Sequence, residues 1–363
     1  MKNKNLSRHT LEKDPAHKSR HKVLHKLVDI GLPLAISAVM IVWLFKKVNL
    51  PTIIRIMRDD CDYRWLLLMC GVEIISRCVR GIRWGIQLRA AGVRRMPPIA
   101  EVSSIFGAFT LNLLLTGVGE AWRCVYVSRR QKASLSTVVG TDLGDRLSDA
   151  FMISLIIMLT FVIARPVLDR FMDNYSFGRH LVGIISSPWL WGTVVILVVA
   201  SILLLVSKTH NRVVLKIRKE VLNLWNGFKI LFTMRHQVRF WLYTVIIWIA
   251  YFLMTYLCFF AFPFTRDLIR PDTAYGLLPG LVVFVFGAIS IAVPASGGLG
   301  PWNIAVMFAL SLYGVHSSDA AAYSMVVWAF QTITQVLMGL FAAIYIAYDN
   351  HHNQQLHNPG VNS

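Results

Sequence analysis

The sequence is short of charge, and within that charge it is short of acid. Charged residues make up 15% of the 363-residue chain, where soluble globular domains carry about 25%. Asp and Glu together number 19 against 37 Lys and Arg. The low total excludes an ordinary soluble domain. Cysteine is also sparse: Cys61, Cys70, Cys78, Cys124 and Cys258 are scattered in or beside apolar blocks, with no C-x-x-C and no ligand spacing. This excludes a disulfide framework and a cysteine-based metal site, and leaves small buried hydrophobes. No DDxxD-like carboxylate run is present, so no metal is expected. Gly117-Val-Gly119 lacks the third glycine and the preceding strand of a dinucleotide fingerprint, so no cofactor is expected either.

What the chain has instead is apolar length. Hydrophobic residues are 55% of the sequence, mean hydropathy is +0.55, and the apolar residues fall in long blocks, the mark of a polytopic membrane protein. The formal charge of +18 lies mostly between those blocks. There the positive-inside rule and anionic headgroups account for it, and nucleic acid is not a partner. Residues 1–26 form a basic tail too long and too charged for a typical signal peptide. Residues 27–45 then read as an uncleaved first crossing that leaves the N-terminus in the cytoplasm, followed by a short amphipathic connection over 46–63 and a second crossing over 64–88.

The stretch around which the rest is arranged is Asn112-Leu-Leu-Leu-Thr116-Gly117-Val-Gly119-Glu120-Ala-Trp-Arg123. The apolar run 103–115 would reach roughly 20 Å as a helix, short of the ~30 Å hydrocarbon core. It ends in a glycine-loosened turn bearing a carboxylate and a guanidinium. Both flanks are basic, with Arg94 and Arg95 on one side and Arg129, Arg130 and Lys132 on the other, so both ends belong in the cytoplasm. Residues 101–122 therefore read as a re-entrant hairpin, broken where backbone at membrane depth must be enclosed by protein or line a wet cavity. An ordinary short crossing ending at Thr116 is the alternative.

The theme returns in the second half. A crossing over 181–206 leads to a basic segment, 207–239, in which Val214, Ile217, Val221, Leu224 and Phe228 recur at helical spacing, as in an interfacial amphipathic helix. Residues 240–262 cross outward. The stretch 275–293 is apolar, the turn with Pro294, Ser296, Gly297, Gly298 and Gly300 breaks it, and residues 304–313 are too short to span. Pro301 suits the first turn of that last helix, with Ser296 or Asn303 available to bond its free amides. Residues 320–348 cross again and 349–363 form a polar cytoplasmic tail. The expected fold is an all-α polytopic membrane protein with about six full crossings and two re-entrant helical hairpins. The repeats, 27–165 and 181–348, are related by inverted topology, although the halves share no obvious sequence identity. Such half-helix N-termini attract anionic substrate groups.

Charges buried in this apolar setting are the candidate site. On the second crossing Glu73, Arg77 and Arg80 fall within about 60° of one another, with Arg83 about 60° further round. Glu73 and Arg77 are at i, i+4 and can pair, while Arg80 and Arg83 are near enough to the cytoplasmic end for snorkelling to be an alternative. On the helix after the hairpin, Asp142, Asp145, Arg146 and Asp149 occupy an arc of roughly 100°. An interfacial ion-pair network is the structural alternative for that group.

In order, Arg83-Trp84, then Asn112 with Gly119-Glu120-x-x-Arg123, then Asp145-Arg146-x-x-Asp149, then Pro294 with Gly297-Gly298-Leu-Gly300 resemble the motifs of the lysylphosphatidylglycerol synthase transmembrane-region family. These are flippase-like bacterial and archaeal membrane proteins, and the similarity spans about residues 27–348. The resemblance implies a protein of the cytoplasmic membrane that acts on lipids, in some members by moving aminoacylated phospholipid between leaflets. Thr116 stands where the family usually has proline, Asp145 where it has glutamate, and Asn303 where it has glutamate. The soluble aminoacyl-transferase domain of the full synthases is absent, which argues against this chain making the lipid.

Together these readings give a lipid flippase or transporter of a lipid-linked intermediate. Its substrate side chains would be Arg77, Arg80, Arg83, Asn112, Glu120, Arg123, Asp145, Arg146, Asp149, Ser296 and Asn303, with arginine forks for phosphate and acids for an amine or a coupling proton. The expected partner is an anionic or aminoacylated phospholipid or a polyprenyl-linked intermediate, and an oligomer is compatible with the sequence. The alternatives are an intramembrane enzyme acting on a lipid-carried group, or a regulatory or scaffold protein of envelope lipid metabolism.

Overall fold

A computed structural model describes residues 50–164, 233–270, 276–290, 293 and 300–357. The tail 1–26, the expected crossings 27–45 and 181–206, most of the segment 207–239, and the turn residues Pro294, Ser296, Gly297 and Gly298 lie outside the described residues. Within them, every regular element is helical. In chain order these are α1 (Leu50–Arg55), α2 (Tyr63–Ala90), α3 (Pro98–Leu114), α4 (Val118–Gln131), α5 (Leu135–Ile163), α6 (Gln237–Phe260), α7 (Pro263–Arg266), α8 (Leu278–Ser290), α9 (Pro301–Ser311) and α10 (Ser317–His357).

The boundaries follow from local chemistry. The Asp62 carboxylate accepts from the Arg64 amide at 3.2 Å to open α2, and the Ser134 hydroxyl accepts from the Thr137 amide at 3.2 Å to open α5. Pro98 and Pro301 stand in the first turns of α3 and α9, where the missing N–H is no loss. Two elements run further than their hydropathy predicts. The basic run after Arg123 continues α4 to Gln131, with Arg129 and Arg130 in the last turn, where cations complement the helix dipole. The last crossing is one helix of 41 residues reaching His357. Arg130 holds its polar extension by donating from Nε and Nη2 to the two oxygens of Asp349, both at 2.7 Å.

Two helices, Gln237–Phe260 and the Ser317–Asp349 part of α10, are long and apolar enough to cross a membrane by length and composition. Helices α2 and α5, at 28 and 29 residues, have the length but carry charges. Helices α3, α8 and α9 have 17, 13 and 11 residues, hence ~16 to 26 Å at ~1.5 Å per residue, shorter than a hydrocarbon core. Outward faces are apolar at helical spacing: Leu155, Leu159 and Val162 on α5, Leu242, Val245 and Ile249 on α6, and Leu337, Leu340 and Ile344 on α10 are all exposed. So extensive an apolar surface in water would drive association; facing lipid tails it is at home. The chain is an α-helical membrane protein.

The interior is organised around α2 lying along α6, with Trp65 stacked on Phe260 at 4.6 Å between ring centres. Four further pairings in each half match. Helix α3 packs on α10 and α8 on α5; α3 on α2 and α8 on α6; α3 on α4 and α8 on α9; α4 on α5 and α9 on α10. Both hairpins also close on the same kind of contact, since Gly107 faces the Trp122 ring and Gly287 faces the Trp302 ring, at one common interval along the chain.

The first hairpin is tightest at Gly119, where an added Cβ would lie 1.9 Å from the Ala108 carbonyl oxygen. Backbone cannot yield as a side chain can. Gly119→Ala is expected to lower stability in detergent by about 1–3 kcal/mol, the usual range for overpacking. Gly140→Ala, with nothing within 4 Å of the new methyl, is the neutral reference. Equal thermal unfolding midpoints for the two variants would contradict the close approach of α3 and α4.

Candidate functional site

The turn between α3 and α4 is built by one side chain. Gly117 takes φ 87°, a left-handed conformation that costs an L side chain but not glycine. The carbonyl oxygen of the Asn112 side chain accepts from the Gly117 amide at 3.1 Å and the Gly119 amide at 2.9 Å, and its Nδ2 donates to Glu120 Oε1 at 3.0 Å. In the second hairpin Gly300 takes φ 98° and its amide donates to Asn303 Oδ1 at 3.1 Å. The Asn303 side chain thus bonds a free amide at the second turn, as the sequence suggests, and at the first turn Asn112 engages the Gly117 and Gly119 amides, which the half-helix argument from sequence left bare. An uncapped N–H in an apolar interior is costly, and the chain supplies its own asparagine cap in both places. Asn303 is fully buried, with Nδ2 directed at Met325 Sδ at 3.8 Å.

Behind that turn lies a network of charge joining α2, α4 and α5. Arg83, fully buried, donates from Nη2 to Asp145 at 2.6 Å and Asp149 at 2.9 Å, and from Nη1 to Thr244 Oγ1 at 3.1 Å. Arg80 reaches the same two carboxylates and donates to the Tyr251 hydroxyl at 3.1 Å. Arg123 grips Asp142 with Nε at 2.7 Å and with Nη2, lies 3.5 Å from Asp145, and rests 4.5 Å from the Trp84 ring centre. Arg146, nearer the surface, bridges Glu120 at 2.6 Å and Asp142 at 3.2 Å. The snorkelling alternative for Arg80 and Arg83 fails: both guanidinium groups turn inward onto aspartates of α5.

Arg77 is held differently. It donates to the Tyr251 hydroxyl at 2.9 Å, lies 3.6 Å from the Phe109 ring centre, and stands 3.6 Å from Glu73, with no closer carboxylate. Its Nε has no hydrogen-bond partner among the described residues.

One side of this network faces a cavity of about 470 Å³. Its lining takes Arg77, Arg80, Asn112, Glu120, Arg123, Arg146 and Asp149 from the first half of the chain, and from the second half Trp248, Met254, Val283, Phe284, Trp302 and Val327 together with the polar Tyr251, Thr255, Tyr323 and Gln331. The buried Trp248 Nε1 finds no hydrogen-bond partner among the described residues. Of the residues expected from sequence, the first seven named line the cavity. Arg83 and Asp145 stand behind it, Asn303 is not part of the lining, and Ser296 lies outside the described residues. Sequence reasoning left Asp142 out of the site, although it shares the arc of Asp145 and Asp149. It also missed Phe109, Tyr251 and Trp248, aromatics in apolar helices that no pattern distinguishes from packing residues.

Outside the helices, burial and the neighbouring Asp62 carboxylate push the Cys61 thiol up to about 11, so it is protonated at neutral pH. Among the described residues no group of His, Cys, Asp and Glu is arranged to hold a metal ion; Glu120, Asp142, Asp145 and Asp149 are each engaged by a guanidinium.

An all-helical membrane protein with a half-polar, half-apolar cavity walled by arginines and carboxylates is the class that the fold and the site define. The chain belongs to the family described as the lysylphosphatidylglycerol synthase TM region, whose model matches residues 30–339. Neither a curated protein nor a solved structure matches it. Membership fits a role connected with membrane lipids, with lipid as the partner.

The network sets an order of sensitivities. Removing one member of a buried ion pair strands the other and costs about 3–5 kcal/mol. Asp145 is fully buried and faces Arg80, Arg83 and Arg123, whereas the Asp149 side chain is 19% exposed. Asp145→Asn is expected to lose most of the folded protein recovered in detergent, and Asp149→Asn distinctly less. Size-exclusion yield and thermal unfolding measure both; the reverse order would contradict the pairing.

Proposed function

We propose that this protein moves a phospholipid, or a lipid-linked intermediate, between the leaflets of the cytoplasmic membrane. The observation that carries this reading is the two-sided cavity: a lipid is itself half polar and half apolar. A phosphate-bearing headgroup fits against Arg77, Arg80 and Arg146, because guanidinium forks match phosphate oxygens. Glu120 and Asp149 on the same wall suit an amine such as an aminoacylated headgroup carries. The wall of Trp248, Phe284 and Val327 accepts the start of the acyl chains.

The matched helix pairings support an inverted repeat of two halves, each with a re-entrant hairpin entering from its own face. The common glycine-to-tryptophan interval in the two hairpins (107 to 122, 287 to 302) supports it as well. Aligned on those residues, Thr116-Gly117 matches Ser296-Gly297 and Trp122-Arg123 matches Trp302-Asn303. A similarity of halves that is invisible to a search for identity thus survives at the turns. The first hairpin carries Arg123 where the second carries Asn303, so the charged half of the path belongs to the first repeat. Both termini and the basic flanks of the first hairpin lie on the cytoplasmic side in this arrangement. Two such repeats, opening alternately, would carry a headgroup past the midplane.

Two experiments test the reading. Cysteines introduced at residues on either flank of the first hairpin, such as Arg95 and Lys132, are expected to react with a membrane-impermeant reagent from the same side; labelling from opposite sides would make residues 98–131 an ordinary crossing. In liposomes, headgroup translocation of a fluorescent phospholipid is expected to fall about tenfold or more for Arg77→Gln and Glu120→Gln, which corresponds to a free-energy penalty on the order of 1.4 kcal/mol or more for each substitution. Unchanged transport by both variants would remove the cavity from the path.

A further inference from the structure

The ten charged side chains around the cavity balance: Arg77, Arg80, Arg83, Arg123 and Arg146 against Glu73, Glu120, Asp142, Asp145 and Asp149. An anionic headgroup entering this balanced cluster adds one negative charge where the dielectric is low and unpaired charge is expensive. Either a cation follows it or one of the carboxylates becomes neutral.

The carboxylates are not equally placed to do so. Asp142, Asp145, Asp149 and Glu120 each lie within 2.9 Å of a guanidinium nitrogen. Glu73 is fully buried and its nearest cation, Arg77 Nη2, stands at 3.6 Å. Its Oε1 otherwise receives only the Gln335 side-chain amide at 3.2 Å, and its Oε2 has no partner among the described residues. Among the described residues, the groups facing it from the surrounding helices bring no second positive charge. Cys70 lies on its own helix α2 and Cys258 on α6, both thiols; α10 presents the uncharged Gln335; and Tyr251 of α6 reaches Arg77 with its hydroxyl. Arg77, its one counter-ion, lies on the cavity wall, and its Nε is unpartnered among the described residues.

We infer that Glu73 is a proton-exchanging residue, and that an anionic phosphodiester binding Arg77 in the cavity brings one proton from water onto the Glu73 carboxylate. This deepens the proposed function and rests on it: the phosphate takes the guanidinium that Glu73 had, and the carboxylate, left in an apolar interior, binds H⁺ and becomes a neutral acid. No bond to the lipid forms or breaks. One negative charge and one proton enter together, so the loaded cluster keeps the balance of the empty one, and release of the headgroup returns the proton. Glu73 is a positioning residue in this scheme, since it reaches the headgroup only through Arg77.

The test is calorimetric titration of the detergent-solubilised full chain with short-chain phosphatidylglycerol, whose phosphodiester stays ionised across the range, at one pH in buffers of different ionisation enthalpy and then from pH 6 to 9. Binding with uptake of about one proton, and affinity that strengthens up to about tenfold per unit fall in pH, is expected because the bound state holds the extra proton. Glu73→Gln, which mimics the neutral acid, is expected to bind at least as tightly, with no proton uptake and a flat pH profile; Glu73→Asp restores the uptake. Wild-type binding independent of buffer and pH overturns the proton exchange while leaving the cavity reading intact, and this holds even if the glutamine variant fails to fold. An unchanged proton number in Glu73→Gln moves the exchange to another group and overturns the assignment to Glu73. Failure of the wild-type chain to bind the lipid at all overturns the cavity reading itself.

Discussion

Arg83 sits with no solvent exposure between α2, α5 and α6, and the rest of the site depends on how that charge is tolerated. A guanidinium in an apolar bundle is stable only with carboxylates at contact distance and its remaining donors engaged. Asp145 and Asp149 supply the first and Thr244 engages Nη1, which leaves only Nε without a partner among the described residues. Once the aspartates of α5 are committed to α2, Arg80 is drawn onto the same pair and Arg123 of the first hairpin onto Asp142 and Asp145. The broken helix is thereby locked to the two long helices beside it. What looks like a stripe of intolerable charge along α2 is the glue between three elements.

The same requirement explains the hairpins. A break between two helices leaves the first amides of the second helix without intrahelical partners. At both breaks a single asparagine directs its amide oxygen at them, Asn112 from before the turn and Asn303 from after it. In the first hairpin the other end of that amide holds Glu120, which in turn holds Arg146. The cap and the cavity wall are one structure. The second hairpin has an asparagine where the first has Arg123, and among its described residues no ion pair reaches the cavity, so its wall is largely apolar. The cavity inherits its two-sidedness from this difference between the halves.

Much of this was legible in the residues. The glycine pair after a short apolar run marked the first break, because a helix of that length cannot cross and glycine alone takes a left-handed turn freely. The arcs of charge on α2 and α5 were visible from helical spacing, as was the pairing of Glu73 with Arg77 one turn apart. Other features were not legible. Periodicity reports which residues share a face but not which face meets which helix, so snorkelling to headgroups stayed open for Arg80 and Arg83 beside a place in the site. Tyr251, Phe109 and Trp248 lie in helices so uniformly apolar that no pattern singles them out. The continuation of α10 beyond the hydrophobic run rests on Arg130, which is 219 positions away from Asp349 in the chain.

The sequence by itself determined the class of the protein, the short apolar helices of its two hairpins, the places where those helices end, and the family. Each of these is a property of residues near one another in the chain, set by length against the bilayer, by spacing against the helical turn, and by glycine and proline against backbone geometry. Only the tertiary structure decided that the charged side chains of the first half meet the largely apolar ones of the second around one cavity, that Asn112 caps the first turn, and that Glu73 has so distant a counter-ion. Those depend on which side chains from remote helices come within a few ångströms of each other in a medium of low dielectric, where a separation of 2.6 or 3.6 Å distinguishes a firmly held carboxylate from a loosely held one.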